Sequence, residues 1–224
     1  MSNYFLMMEL LSDTTFGRGD GVAGLLDQEV EHDSYGFPYL RGRTLKGLLS
    51  EECENIIYTL PDKDRWYSTL DQLFGVDGSG IGTIAQMHIG DACLSQKLRS
   101  VVEMQIGKDK DKDSRKTSKI TSTDILSSLT TIRRQTAIDP VDGVADDRSL
   151  RSSRVILRER CFFATLTFDV NPTPDMLALL TVGILALRRV GSGRNRGRGH
   201  VRCLLNDEKL TQEHFQYFQR ETNK

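Results

Sequence analysis

The chain has 224 residues, 38% of them hydrophobic and 27% charged, with 30 lysines and arginines against 31 aspartates and glutamates. That length is enough to bury a sizeable core, and the composition excludes a disordered chain and, with no long apolar run, a helical membrane span. A formal net charge of -1 excludes a protein that binds nucleic acid over its whole surface, so any phosphate affinity must come from local clusters of arginine and lysine.

The N-terminal segment carries neither a basic stretch nor a small-residue cleavage site, so no signal peptide, no membrane partner and a cytoplasmic location are expected. Tyr4, Leu6, Met8 and Leu10 alternate with their neighbours, which predicts a strand with one face on a core, ending near Ser12. Four glycines between Phe16 and Gly24 then mark a loop. From Glu9 to Asp33 seven acids (Glu9, Asp13, Asp20, Asp27, Glu29, Glu31, Asp33) face one base, Arg18. Apolar residues at helical spacing predict a first helix over Leu45 to Leu60 with Thr44 as its N-cap, and a shorter one over Trp66 to Phe74 with Trp66 in the packing. A second strand is expected over Gln86 to Leu94. The stretch from Gly107 to Lys119 has no large apolar residue and mixes lysines and Arg115 with aspartates, and it reads as an exposed, solvated insertion.

Ser122–Asp124 is placed to cap a brief helix to Thr131, and the polar segment from Thr136 to Ser153, with turn signals at Asp139-Pro140 and Asp142-Gly143, reads as a protruding hairpin. Val155 to Val170 reads as one long strand. Pro174 at the first position opens a second long helix over Met176 to Leu187, apolar almost all round and therefore buried. A strand over His200 to Leu205 and a helix over Gln212 to Arg220 finish the chain. The order strand, helix, strand, strand, helix, strand is that of an α+β, ferredoxin-like (RRM-like) fold, here a single domain over 1–224 with insertions at about 12–43 and 95–154. RRM domains bind RNA through aromatic residues on the sheet. The first strand offers only Tyr4 and Phe5, so loops must carry any such role. Cys53, Cys93, Cys161 and Cys203 lack zinc-ligand spacing and read as buried thiols.

The segment from Arg188 to Arg202 holds six arginines and no acid, and Gly191, Ser192, Gly193, Arg194, Asn195, Arg196, Gly197, Arg198 and His200 form its loop. Glycine there lets backbone N–H groups approach phosphate, and arginine supplies charge-assisted bidentate bonds. The lysine and hydroxyl of a nucleotide-binding P-loop are missing. Arg43, Thr44 and Lys46 stand at the start of the first helix, where free N–H groups favour an anion. On composition alone Asp27 is a solvated or capping carboxylate; Asp20, Glu29, Glu31 and Asp33 read as solvated acids and His32 as a structural histidine.

Three motifs in order, Gly24–Asp33 followed by Gly36–Gly47, Arg133–Asp139, and Val190–His200, resemble the RAMP superfamily of CRISPR proteins, and in particular the backbone subunits of type III effector complexes. The resemblance implies a CRISPR antiviral-defence role. CRISPR RNA would lie along Arg43, Thr44, Lys46 and the Arg-Gly loop, complementary target RNA would pair with it, and other RAMP and effector subunits would be neighbours. The Arg133–Asp139 segment would be the base of a thumb hairpin that wedges the guide-target duplex. Asp27 matches the aspartate needed for cutting target RNA, which implies endoribonuclease (hydrolase) activity assisted by a divalent ion, magnesium or manganese, at Asp27. A non-catalytic structural subunit and a CRISPR RNA-processing endonuclease using His32 or His200 remain open. Arg198 stands where family members often carry an aromatic residue between the last glycines, which exchanges a stacking contact for a cationic one.

Overall fold

The computed structural model describes residues 4–76, 84–110, 120–139, 141–145 and 149–223, with backbone only for 107–110. Its elements are β1 (Tyr4–Leu10), α1 (Gly42–Ile57), α2 (Lys63–Phe74), β2 (Met87–Ile89), β3 (Cys93–Leu94), α3 (Gln96–Lys110), α4 (Ser122–Leu129), β4 (Thr130–Gln135), β5 (Arg151–Ile156), β6 (Cys161–Phe168), α5 (Pro174–Ala186), β7 (Val201–Leu205) and α6 (Glu208–Thr222). The main sheet is antiparallel and runs β2-β6-β1-β7, with β3 also pairing with β6. A separate two-stranded ribbon joins β4 to β5, in register from Thr130 opposite Ile156 to Gln135 opposite Arg151.

The alternation in β1 sets the layers. Leu6, Met8 and Leu10 are wholly buried, while Phe5 and Met7 lie half-buried on the other face, where Phe5 meets Phe163 edge-on at 6.0 Å. Leu45, Leu49, Cys53 and Ile57, one helical turn apart, form the buried stripe of α1. In α5 every residue from Met176 to Ile184 is buried, because α1, α2, α6 and β7 pack around it. Its start follows the expected chemistry: Thr173 accepts from the Met176 N–H at 3.2 Å and Pro174 occupies the first turn. Arg65 on α2 bonds Asp175 at 2.8 Å and Glu221 at 2.9 Å, tying α2 to α5 and α6, and Trp66 packs on Phe218 at 4.8 Å.

Several expectations are corrected. Helix α1 starts at Gly42, not Leu45, and its N-terminus is capped by the Asp91 carboxylate on the Gly42 N–H at 2.7 Å; Thr44 lies inside the helix and does not cap it. The strand expected over Gln86 to Leu94 is two short ones, with Asp91 between them supplying that cap. The long strand expected over Val155 to Val170 is broken between β5 and β6, where Glu159 adopts φ 64, and its halves join different sheets. The charged insertion begins inside α3, and its remainder, 111–119, lies outside the described residues, as does Pro140 of the hairpin turn. Next to that proline, Asp139 accepts from the Val141 and Asp142 N–H groups, which holds its carboxyl below the usual range. Thr121, not Ser122, caps α4. Two of the four cysteines are buried as expected, and burial pushes the Cys203 thiol up to about 12, but Cys93 is half-buried and Cys161 exposed. Among the described residues no helix is long and apolar enough to cross a membrane.

Gly183 is where α5 comes closest to α1: a Cβ there would run into the buried Cys53 sulfur. Gly183→Ala is expected to destabilise the chain by about 1–3 kcal/mol, the usual range for overpacking a filled core. Urea unfolding against the wild type reads the difference; an unchanged midpoint would show that the contact relaxes without cost.

Candidate functional site

The segment that follows β1 organises the site. Thr14 and Thr15 are completely buried and exchange backbone bonds with the ribbon on one side and the Arg-Gly loop on the other. The Thr14 N–H donates to the Ile156 carbonyl at 3.1 Å and the Ile156 N–H returns to Thr14 at 2.7 Å. Thr14 Oγ1 donates to the Val190 carbonyl at 3.0 Å, Thr15 Oγ1 to the Arg154 carbonyl at 2.9 Å, and the Ser192 N–H to the Thr15 carbonyl at 2.9 Å. Buried hydroxyls with such partners satisfy the requirement that buried polar groups be paired.

The Arg-Gly loop is therefore tied to the protein at both ends, through Ser192 and through Gly199, whose N–H donates to the Asp13 carbonyl at 3.0 Å. Arg194–Arg196 form a short 3-10 turn, and Arg189 donates across it to the Arg194 carbonyl. Gly191 has φ 78, and a Cβ there would stand 2.5 Å from the Thr15 carbonyl oxygen; Gly199 has φ 70 and faces the Val190 carbonyl as tightly. These two glycines are needed for the loop's contact with its own protein, a requirement the sequence did not show. Arg202 pairs with Glu9 at 2.8 Å, whereas Arg194, Arg196 and Arg198 are in no ion pair among the described residues.

The acidic stretch is built of internal pairs. Glu9 is matched by Arg202, Asp13 by Arg133, Asp20 by Arg18, Glu29 by Arg154, Glu31 by Arg41 and Asp33 by Arg99. Glu31 also accepts from the Tyr39 hydroxyl at 3.0 Å, and burial beside that carboxylate pushes the Tyr39 hydroxyl up. Asp27 is the exception. Its Oδ2 accepts from the Ser152 N–H at 2.6 Å and lies 3.3 Å from the Ser152 hydroxyl, and among the described residues it has no cationic partner.

Three open grooves surround this arrangement. One, of about 370 Å³, lies between the acidic stretch and the start of α1 and is bordered by Asp27, Glu31, Arg41, Thr44, Gly191 and Arg194. The second, of about 700 Å³, runs between Asp27 and the ribbon, with Gln135, Arg151, Arg194, Arg196 and Arg198 along it. The third, of about 510 Å³, shares Gln135 and Arg198 with the second and adds Arg133, Arg134, Arg158 and Asp13. Asp27 thus borders both the first and the second groove.

Of the residues expected from the sequence, the structure brings Asp27, Thr44, Gly191, Ser192, Gly193, Arg194, Asn195, Arg196, Gly197 and Arg198 to these grooves. Arg43, Lys46 and His200 border none of them. Asp91 already occupies the α1 N-terminus that was to receive an anion, and partial burial holds the Lys46 ammonium below its usual range. His200 is tied to Ser12 through its backbone, and the His32 ring nitrogen Nδ1 lies 3.0 Å from the Asp33 carbonyl. Sequence reading missed Arg41, Arg151, Ser152 and Arg158; the only signal for the middle pair was their place at the end of a polar hairpin. Among the described residues, the side chains around Asp27 do not make a resident site for a divalent ion. Among the described residues no three His, Cys, Asp or Glu side chains are grouped to hold one, because the neighbouring acids are bound to arginines.

The model of the RAMP superfamily matches residues 7–202. Solved structures with similar coordinates include a chain of the type III-B Cmr-beta complex in its apo state, with TM-score 0.62 and 14% identity, covering 92% of this chain and 98% of that one. A chain of Cmr-beta bound to cognate target RNA aligns with TM-score 0.61 and 13% identity, over 96% and 99%. At such identity the likeness shows a shared fold. No curated protein matches in sequence.

The Glu29–Arg154 pair, 2.8 Å apart with Glu29 only 5% exposed, ties the acidic stretch to β5. Glu29→Gln strands a charged guanidinium in a desolvated place, and the expected cost is roughly 3 kcal/mol. Hydrogen exchange should quicken in residues 25–31 before it does in β1 and β6; uniform exchange throughout would show that the pair does not act locally.

Proposed function

Because the chain belongs to the RAMP superfamily, we propose that it is an RNA-binding backbone subunit of a type III CRISPR effector complex, one that cuts guide-paired target RNA at Asp27. The observation that carries this reading is the convergence on one groove of Arg151, Arg194, Arg196 and Arg198 with Asp27, the one acid of its stretch not matched by an arginine among the described residues. Guanidiniums crowded along a groove, in no ion pair among the described residues, repel one another, and a ribose-phosphate strand relieves that repulsion.

A ferredoxin-like assignment of the main sheet is supported by the order β2-β6-β1-β7. A thumb assignment of β4–β5 is supported by its standing as a sheet of its own, with Ile138, Val141 and Val144 exposed near its tip. On this reading CRISPR RNA follows the second and third grooves along Arg194, Arg196, Arg198, Arg134 and Arg158, with Asn195 and the loop backbone positioning it. The ribbon displaces a target nucleotide, and Asp27 takes the proton of the adjacent 2'-hydroxyl as its oxygen attacks phosphorus in line; the bond from phosphorus to the 5'-oxygen of the next nucleotide breaks, that oxygen takes a proton from water, and a 2',3'-cyclic phosphate and a 5'-hydroxyl end result. A magnesium or manganese ion belongs here only if RNA oxygens supply most of its ligands. Arg43, Lys46 and His200 belong to this reading as outer contacts with RNA, other effector subunits are the partners, and the cytoplasm is the proposed location.

A second reading keeps the same geometry: in a subunit that binds RNA without cutting it, the Ser152–Asp27 contact serves only to brace the acidic stretch against the ribbon. A CRISPR RNA-processing endonuclease finds less support, since neither His32 nor His200 borders any of the three grooves described above.

Two outcomes are expected. Asp27→Ala in the assembled complex should lower target RNA cleavage by about a hundredfold or more while target binding persists; undiminished cutting leaves the non-catalytic reading. Replacing Arg194 and Arg196 by alanine should weaken guide RNA binding and flatten its salt dependence by roughly one unit of slope for each phosphate no longer neutralised. An unaltered slope in filter-binding titrations would remove the loop from the RNA path.

A further inference from the structure

Residues 25–29 are laid along the edge of β5 as a partial third strand of the ribbon. Gln28 bridges Ser153 in parallel sense, the Asp27 N–H donates to the Ser152 carbonyl at 2.8 Å, and the Arg154 N–H donates to the Gln28 carbonyl at 3.0 Å. Ser152 is the centre of this contact. Its N–H donates to Asp27 Oδ2, and its hydroxyl lies 3.0 Å from the Leu25 carbonyl and 3.3 Å from the same Oδ2. One serine therefore holds the backbone before Asp27, the backbone at Asp27 and the carboxylate itself. Asp27 remains exposed, yet its carboxylate is not free to turn with solvent.

We infer that Ser152 is a positioning residue for Asp27, and that it makes the place of the Asp27 carboxylate depend on the β4–β5 ribbon. The inference rests on the reading of Asp27 as the group that acts on target RNA. A carboxylate on an exposed loop would sample many orientations, and small displacements of a reacting group are costly in rate. Anchoring to the ribbon removes that freedom: wherever the ribbon is set by bound RNA, Asp27 is carried with it. The backbone N–H survives replacement by any residue but proline, so the hydroxyl is the part of the device that a valine substitution removes.

The test uses a matched pair in the assembled complex. Ser152→Thr keeps the hydroxyl and Ser152→Val removes it at nearly the same shape, and both β-branched side chains suit a strand. Ser152→Val is expected to slow single-turnover cleavage at saturating target RNA by about tenfold relative to Ser152→Thr, with half-saturating target concentration unchanged, as for removal of one well-placed hydrogen bond with some misalignment. Hydrogen exchange at the Asp27 and Gln28 amides should quicken in the valine variant alone. Equal cleavage by the two variants overturns the positioning role. Asp27→Asn separates this from failure of the underlying reading: if it cuts like wild type, Asp27 is not the acting group and the role assigned to Ser152 falls with it. If Asp27→Asn is inactive while the valine and threonine variants cut alike, only the inference about Ser152 fails.

Discussion

The site depends on five residues that follow the first strand. Ser12 to Phe16 leave the main sheet and run between the ribbon and the Arg-Gly loop, giving backbone and hydroxyl bonds to each. The Glu31 N–H closes on the Phe16 carbonyl at 2.7 Å, so the acidic stretch is attached to the same segment. Thr14 and Thr15 have no exposed surface, and an apolar residue at either position would leave a buried carbonyl without its donor. Three parts far apart in sequence are thereby held in one geometry, although the ribbon belongs to a separate sheet from β1 and β7.

Much of the fold was legible because its signals are local and periodic. The alternation of Tyr4 to Leu10, the spacing of Leu45, Leu49 and Cys53, and the Thr-Pro start of α5 each reflect a backbone geometry that a short window can express. What failed in reading was set by distant partners. Thr44 looked like a cap, but Asp91 took that role from 49 positions beyond Gly42. The break at Glu159 needed knowledge that β5 and β6 serve different sheets. The α3 helix carries a weak apolar pattern that charge concealed.

The candidate site divides in the same way. Arg194, Arg196 and Arg198 were visible as a charge cluster, and Asp27 through its motif. Ser152 and Arg151 were not, since serine and arginine in a polar hairpin carry no periodic or compositional mark, and Arg158 was hidden in what read as one long strand. Arg43 and Lys46 lie outside the three grooves, and the helix N-terminus beside them already has a carboxylate of the protein, Asp91, on its Gly42 N–H. The loop glycines were read as serving a ligand; Gly191 and Gly199 also allow the loop to approach Thr15 and Val190, which no local pattern shows.

A formal net charge of -1 is compatible with a polyanion partner because of where charges cancel. Arg18, Arg41, Arg99, Arg133, Arg154 and Arg202 are matched to the six other acids of the Glu9–Asp33 stretch, and these pairs brace the loops. Such cancellation leaves Arg151, Arg194, Arg196 and Arg198 to set the potential of the second groove. Screening at physiological salt confines a charge's influence to about 8 Å, so a strand in that groove responds to the arginines beside it far more than to the molecule's total. The same internal pairing explains why an acid-rich stretch makes no cation cage. It also leaves Asp27, held by a serine instead of an arginine, as the carboxylate whose charge faces the groove.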